Sequence, residues 1–486
     1  MKRFISENGK LVFCILMLVL SFCFAANAIC QPPKQRDYWP TEEWRTTTPE
    51  TQGMDTAKLM IADEFIRDRL PDAFSLLVVK NGYLVFEKYY SWGKPNKYAV
   101  VHSVTKSVTS ALIGIALERG HLDNLDQKLV DFFPEYVTET LDPRKKEITL
   151  KHLLTMSTGF RWDDRGPSMV GWYTSSNWVK NAILLPQDCD PGDVFNYNSS
   201  TSHLLSAILS KSTQSNTLEF AQANLFQPLG IDTIFWHTDP LGYHIGGFGL
   251  GLSARDLAKI GFLYLNNGYW DDKSIVPENW VQESTRGHLQ AMGHPIYGPF
   301  AYGYQWWVKK VDDCESFRAW GRRGQYIVVV PELDLVIAVT SETQMPHPPT
   351  SIHYCPLFDL VAAAVNRPRP PKTSIKAVAV PLEIQTFLKE YNRARMTENM
   401  AVLSDFISDR FLYRGVTKKL ALQFLRGISN YTAEAELIIT KFKLNGDEAI
   451  MDVWLKDKYF ETDFMTKTKL IKEDGQWRWY GNQQPN

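Results

Sequence analysis

The chain has 486 residues, with 53 Lys+Arg against 54 Asp+Glu and a formal net charge of -1. That length predicts two or three domains. A hydrophobic content of 44% excludes wholesale disorder, and the balanced charge leaves no whole-chain electrostatic footprint for nucleic acid.

Lys2, Arg3 and Lys10 precede an uncharged, mostly apolar stretch from Leu11 to Ala28 that ends in Ala26-Asn27-Ala28. This pattern predicts a signal peptide over residues 1–28 and export to the periplasm or the medium. An uncleaved membrane anchor is the alternative, because the stretch nearly reaches spanning length. A lipid-attached Cys30 is a third option, but Ile29 is bulky where such sites want a small residue. Beyond the signal, Cys30, Cys189, Cys314 and Cys355 are too sparse for a disulfide scaffold, and an oxidising compartment could join one pair of them. No CxxC or HExxH occurs, and His237 and His244 read as ordinary loop histidines, so neither metal nor cofactor is expected.

Residues 31–50 read as an extended lead-in. Phe74–Val79 and Tyr83–Tyr89 are β-prone runs joined by Asn81-Gly82, a hairpin signal. From Val104 the pattern is helical, with Val108, Leu112, Ile115 and Ala116 on one face up to Gly120. Residues 121–300 mix helical segments with turns. Strand-like runs return at Tyr304–Val311, Tyr326–Val330 and Leu335–Thr340, and a helix is expected at Leu357–Val365. Strands at both ends of a helical middle predict an α/β domain with a helical insertion over residues 40–365.

Asn366-Arg-Pro-Arg-Pro-Pro371 opens a stiff linker over residues 366–377. The order then changes to helices first, beginning after Pro381 with Ile384, Phe387, Leu388 and Tyr391 on one face, and continuing around Met400–Phe406 and Lys418–Leu425. Strands follow at Ala435–Phe442, Ala449–Leu455, Thr466–Ile471 and Gln476–Tyr480, so residues 378–486 read as a separate α+β domain.

A hydrolytic serine needs a base within hydrogen-bond reach and an oxyanion hole. In His102-Ser103-Val104-Thr105-Lys106 the Ser and Lys stand three residues apart at a helix start and share a face. A buried Lys106 has a lowered pKa and can take the hydroxyl proton, while the helix N-terminus offers the Ser103 amide to an oxyanion. Ser91-Trp92-Gly93-Lys94 has the same spacing but lies in a Gly/Pro loop with no helix to organise it. As an isolated motif, Ser103 would read as a helix cap. Pro191-Gly192-Asp193-Val194-Phe195-Asn196-Tyr197-Asn198-Ser199-Ser200 is a turn presenting Tyr197 ahead of a helix at Ser202–Leu209. Trp320-Gly321-Arg322-Arg323-Gly324-Gln325 leads into the strand after it.

This order of SxxK, Tyr and Gly-bearing strand resembles the serine β-lactamase and penicillin-binding-protein family over residues 40–365, in its class C β-lactamase, DD-peptidase and esterase branch. Ile148–Leu154, Ser157-Thr-Gly159 and Gly249–Asp256 also resemble segments of that branch. The resemblance implies an antiparallel sheet flanked by helices with a helical subdomain. It assigns Ser103 as nucleophile, Lys106 and Tyr197 as proton carriers, and the amides of Ser103 and Arg322 as oxyanion hole. Two departures stand out. Ser199 occupies the position of the usual Asn of the Tyr motif, at a substrate-contacting place. Trp320-Gly321-Arg322 replaces the cationic third motif that binds the carboxylate of a β-lactam, and resembles the esterase and nylon-oligomer amidase members. Either Arg322 or Arg323 could meet an anion, although solvated strand-edge arginines are common. Trp172 and Tyr173, with Trp162 and Trp178, are candidates for an aromatic lid over the acyl group, or for subdomain packing.

Three readings follow: a serine hydrolase of a small-molecule ester or amide, a DD-peptidase or β-lactamase acting on cell-wall peptide or its mimics, and a non-catalytic binding module on the same fold. In the last domain, Asp409-Arg-Phe-Leu-Tyr413 and Gly415 resemble the nuclear-transport-factor-2-like (SnoaL-like) cone. That resemblance implies an accessory role or a homodimer through the sheet, with Trp454, Trp477 and Trp479 as candidate pocket linings.

Overall fold

The computed structural model describes residues 35–483 except 165, 233, 295–297, 342–353, 370–375, 398, 414–415, 429–434 and 460. The expected signal segment, Cys30 and Gly415 lie outside the described residues. The chain divides into two compact units, Met1–Asp37 and Tyr38–Asn486, and the second carries everything below.

Helix α1 (Thr56–Arg69), capped by the Asp55 carboxylate, carries no motif and was not expected from the sequence. It leads into the hairpin of β1 (Ala73–Lys80) and β2 (Tyr83–Tyr89). Asn81 and Gly82 turn that hairpin at φ 54° and 90°, the left-handed pair that a tight two-residue turn requires. The helical middle includes α2 (Val104–Glu118), α3 (Ser199–Thr213) and α4 (Ala254–Leu265). The chain then returns through β3 (Leu289–His294), β4 (Gly298–Tyr302), β5 (Trp307–Val308), β6 (Phe317–Gly321), β7 (Gln325–Val330) and β8 (Leu335–Ser341), closing with α5 (Cys355–Ala363).

These strands form one eight-stranded sheet in the order β2-β1-β8-β7-β6-β5-β4-β3. The early hairpin meets the late strands through β1 and β8, which run antiparallel with Leu76 opposite Val339 and Val78 opposite Ile337. Both faces of the central strands are covered. Leu77, Val79, Ile327, Val329, Val336 and Ala338 join the core beneath α2 and α4. Leu76, Val78, Tyr326, Val328, Ile337 and Val339 join the core beneath α1 and α5. The unbroken Val/Ile runs of β7 and β8 follow from that double burial. Gly261 lets α4 approach closely, since a Cβ there would lie 2.5 Å from a Val336 methyl.

The expected strand Tyr304–Val311 is shorter than its composition suggests. Gln305 adopts φ 65° and turns inward, where Ser202 Oγ donates to its side-chain carbonyl at 2.7 Å and its amide donates to Leu153 O and Leu154 O at 3.1 and 2.9 Å. Trp307–Val308 keeps strand pairing, and Val311 keeps an isolated bridge to Cys314. Among the described cysteines, Cys189, Cys314 and Cys355 are free thiols.

The C-terminal part has α6 (Leu382–Met396), α7 (Met400–Asp405) and α8 (Lys418–Ile428), followed by β9 (Glu436–Asn445), β10 (Glu448–Lys456), β11 (Glu461–Glu473) and β12 (Gln476–Gly481). The strands form a four-stranded antiparallel sheet in sequence order. Ile384, Phe387, Tyr391, Met451, Val453, Leu455 and Trp479 make its own core. Trp477 and Trp479 are 8% and 1% exposed, so they pack that core. Trp479 lies 5.6 Å from the Phe387 ring and 5.7 Å from the Tyr391 ring.

This part is held against α1 by the turn after β10. Tyr459 belongs to the core beneath α1, edge-on to Phe65 at 5.1 Å, and its hydroxyl donates to Asp68. Asp457 pairs with Arg69 at 3.2 Å, and Lys458 with Glu64 at 2.6 Å. The start of the linker is tied down as well: Arg367 and Arg369 both pair with Asp312, and Arg369 donates to the last carbonyls of α5. Tyr459→Ala removes the apolar centre of this contact and should cost about 3 kcal/mol, read as a lower urea midpoint for the whole chain. An unchanged midpoint would show the contact to be incidental.

Candidate active site

His102, at φ 47°, turns the chain so that Ser103 stands at the N-terminal edge of α2. Ser103 occupies the cap position, yet its side chain makes no capping bond, which leaves the hydroxyl to other partners. One turn on, Lys106 is 1% exposed. Its Nζ lies 3.2 Å from Ser103 Oγ, 3.0 Å from Ser199 Oγ and 2.7 Å from Gly247 O. A neutral amine has two N–H groups and one lone pair. The Gly247 carbonyl can only accept, and with Ser199 Oγ accepting the second N–H, the lone pair is left for the Ser103 hydroxyl.

Burial lowers the Lys106 pKa to about 8, against an opposing pull from Asp164. Near pH 8 a sizeable fraction is therefore neutral and able to act as a base. Tyr197 has the opposite bias. Burial first, then Asp164, push its hydroxyl well above the ordinary tyrosine value, while a hydrogen bond with the Ser103 side chain pulls the other way. Tyr197 thus rests as a proton donor. Lys106 Nζ lies 4.9 Å from its ring centroid, and Trp307 stacks on the ring at 5.5 Å and 27°.

The helix after Tyr197 starts earlier than expected. Asn198 caps it by accepting the amides of Ser200 and Thr201 at 2.8 and 3.3 Å, so α3 begins at Ser199. Ser199 is 2% exposed and hydrogen-bonds Lys106, so it belongs to the lysine's shell and not, as expected, to a substrate-contacting surface. Its amide donates to Asp164 Oδ1 at 3.0 Å, and that oxygen also accepts from Trp162 Nε1 at 3.0 Å. Asp164 and the Gly247 carbonyl were missed in the sequence. No motif spacing marks them, because one acts across the subdomain and the other through its backbone.

Gly321 brings the end of β6 against the catalytic turn, since a Cβ there would lie 2.3 Å from Val101 O. Arg322 follows at the start of the β6–β7 turn and is exposed. Arg322 and Arg323, after burial itself, help hold His102 down at about 4, so His102 is neutral at pH 7. Trp320 points to the other face of β6, where it packs on Trp307 at 5.1 Å, Phe300 at 5.8 Å and Tyr326 at 6.0 Å. It reaches Tyr197 only through Trp307. Trp172 is 0% exposed; its indole donates to Trp178 O, and its ring lies 4.3 Å from the Trp178 ring. Burial removes Trp172 from any lid and makes it subdomain core. Tyr173, 54% exposed, is free to meet a ligand. Among the described residues, no group of three or more His, Cys, Asp or Glu is placed to hold a metal.

A sheet-and-helix frame that brings the half-buried Ser103 and Tyr197 to the buried Lys106 is that of a serine hydrolase. The chain belongs to the Beta-lactamase family, whose signature matches residues 63–354. It is 23% identical over 300 residues to the 6-aminohexanoate-dimer hydrolase of Paenarthrobacter ureafaciens, covering 57% of this chain and 74% of that protein. Among solved structures, the octameric penicillin-binding protein homologue of Pyrococcus abyssi shares the fold with TM-score 0.55 and 19% identity, over 88% of this chain and 95% of its own. EstCE1, described as a hydrolase with promiscuous acyltransferase activity, does so with TM-score 0.54 and 15% identity, over 64% of this chain and 99% of its own.

The Lys106 shift yields two linked predictions. The rate kcat/KM should rise with pH along an acid limb whose midpoint lies near the Lys106 value of about 8. The folded value lies below the ordinary 10.5, so between the two the unfolded chain binds more protons and stability rises with pH. Relative to Lys106→Met, the native chain should gain about 3 kcal/mol across that window, measured by urea unfolding at pH 7.5 and 10.5. A flat difference would show that the amine is not shifted.

Proposed function

We propose that this hydrolase cleaves an ester or amide through an acyl-Ser103 intermediate. The observation that carries the reading is the buried Lys106 amine, whose N–H groups have acceptors in Gly247 and Ser199 while Ser103 Oγ stands 3.2 Å away. Neutral Lys106 takes the Ser103 proton as Oγ adds to the substrate carbonyl. The amides of Ser103 and Arg322 receive the oxyanion, a role supported by the position of Gly321 against the catalytic turn. Tyr197 gives its proton to the departing oxygen or nitrogen and recovers one from the Lys106 ammonium. Water then releases the acid by the same path in reverse. Tyr173 and the half-buried Tyr197 edge offer an apolar surface to the acyl or leaving group.

Ser103→Ala is expected to abolish both turnover and labelling by a serine-directed phosphonate, and Lys106→Ala to cost several orders of magnitude. Tyr197→Phe should lower kcat more than it raises KM. An active Ser103→Ala variant, with the label mapping to another serine, would overturn the assignment. Because Trp320-Gly321-Arg322 replaces the cationic third motif, kcat/KM for short-chain nitrophenyl esters should exceed that for penicillin on one preparation. The reverse order would favour a β-lactamase or a cell-wall peptidase.

Export with cleavage after Ala28 is part of the proposal, supported by the basic start and the apolar run. N-terminal sequencing of the protein recovered outside the cytoplasm tests it, and a start at Met1 would overturn it. For residues 378–486 we propose a nuclear-transport-factor-2-like cone with an accessory role, ligand capture or homodimerisation, supported by three helices preceding a four-stranded antiparallel sheet.

A further inference from the structure

Four consecutive carbonyls beside the catalytic lysine each accept a side-chain hydrogen bond. Ser206 Oγ donates to His244 O at 2.7 Å, Trp236 Nε1 to Ile245 O at 2.9 Å, Thr109 Oγ1 to Gly246 O at 3.0 Å, and Lys106 Nζ to Gly247 O at 2.7 Å. Thr109 and Ser206 are both 0% exposed. Lys106 and Thr109 lie one turn apart on α2, and so address neighbouring carbonyls of one extended segment. The other end of the segment is fixed too: Asp239 accepts the Leu241 and Tyr243 amides, each at 2.9 Å, and its second oxygen meets His203 Nε2 at 3.1 Å. Both of those side chains are fully buried. The segment has no room for side chains at its tip. A Cβ on Gly246 would lie 2.1 Å from Ser202 O, and one on Gly247 would lie 2.8 Å from Ser199 O.

A backbone carbonyl left to itself can tilt its peptide plane, and a buried amine follows the acceptor it is bonded to. We propose that Thr109 and Ser206 are positioning residues for the proton transfer: by locking the 244–247 peptides they aim the Gly247 carbonyl at Lys106, and this orients the lone pair of the lysine towards Ser103. The inference rests on the reading of Lys106 as the base. The charged and titratable groups facing Lys106 are Asp164, Tyr197 and His102, and the proposed variants leave all three in place.

The test compares Thr109→Val, Thr109→Ser and the native chain in the pH profile of nitrophenyl ester hydrolysis, with thermal unfolding as the check on folding. Valine keeps the shape and removes the donor. It should lower kcat roughly 100-fold, the scale of a small misplacement of reacting groups, with KM changed less than about twofold. The acid limb should move to lower pH, because an ammonium that loses its best acceptor is less favoured over the amine. Thr109→Ser should restore both rate and midpoint. A folded Thr109→Val variant with native kcat and midpoint overturns the proposal, as does a loss of rate that serine fails to rescue and that leaves the midpoint unmoved. If Thr109→Val does not fold, Ser206→Ala, which only deletes a hydroxyl, is judged by the same criteria. Failure of the underlying reading would show separately, as turnover surviving in Ser103→Ala.

Discussion

The amine of Lys106 is enclosed by α2, the start of α3 and the 244–247 segment, at 1% exposure, and the catalytic centre depends on that removal from water. An ammonium so enclosed is penalised unless hydrogen bonds replace its hydration. Here they do so only in part. Gly247 and Ser199 supply two good acceptors, while Asp164 acts from further away through the Ser199 amide and the field it creates. The result is intermediate. A direct ion pair with a carboxylate would have kept the lysine charged at every physiological pH, and an apolar cage would have left it unoriented. The amine is therefore poised between its charged and neutral forms by an incomplete set of partners.

That arrangement needs a frame that does not yield, and the eight-stranded sheet supplies it. Strands buried on both faces tie α2 and α4 to one side and α1 and α5 to the other. Gly321 then lets the end of β6 touch the backbone just ahead of Ser103. The C-terminal domain grips the face carrying α1, through Tyr459, Asp457 and Lys458, whereas Ser103 and Lys106 belong to α2 on the opposite face. Among the described residues, its contact with the catalytic domain through the turn after β10 therefore lies at the back of the sheet.

Local chemistry made part of this legible in the sequence. Ser103 and Lys106 share a helix turn, Tyr197 stands in a Pro/Gly turn ahead of a helix, and Asn81-Gly82 requires left-handed backbone, so each could be placed from neighbouring residues. What escaped was non-local. Asp164 matters because folding brings it to the amide of Ser199, and Gly247 through a carbonyl that every residue possesses. Helix α1 is amphipathic only weakly, because the apolar Met60 and Ile61 face solvent while the charged Asp63 is buried. Aromatics among glycines left Trp172 open between a lid and subdomain packing, and its full burial, a tertiary fact, decides for packing. Trp320, a candidate substrate contact by its place in the third motif, lies instead on the face of β6 opposite Ala319, as strand alternation requires.

Ser199 shows how a departure from a family pattern can change the site. A longer amide side chain in that place could extend past the lysine towards a ligand, but the serine hydroxyl is short and stays with the amine at 3.0 Å. Its backbone N–H, held by Asp164, fixes the first residue of α3 and with it the approach of Tyr197 to Ser103. Ser199 thus contributes to the enclosure of the lysine through both its hydroxyl and its backbone N–H. Exposed side chains are left to the rim, to Tyr173 and the turn carrying Arg322, while Lys106 and Ser199 stay enclosed.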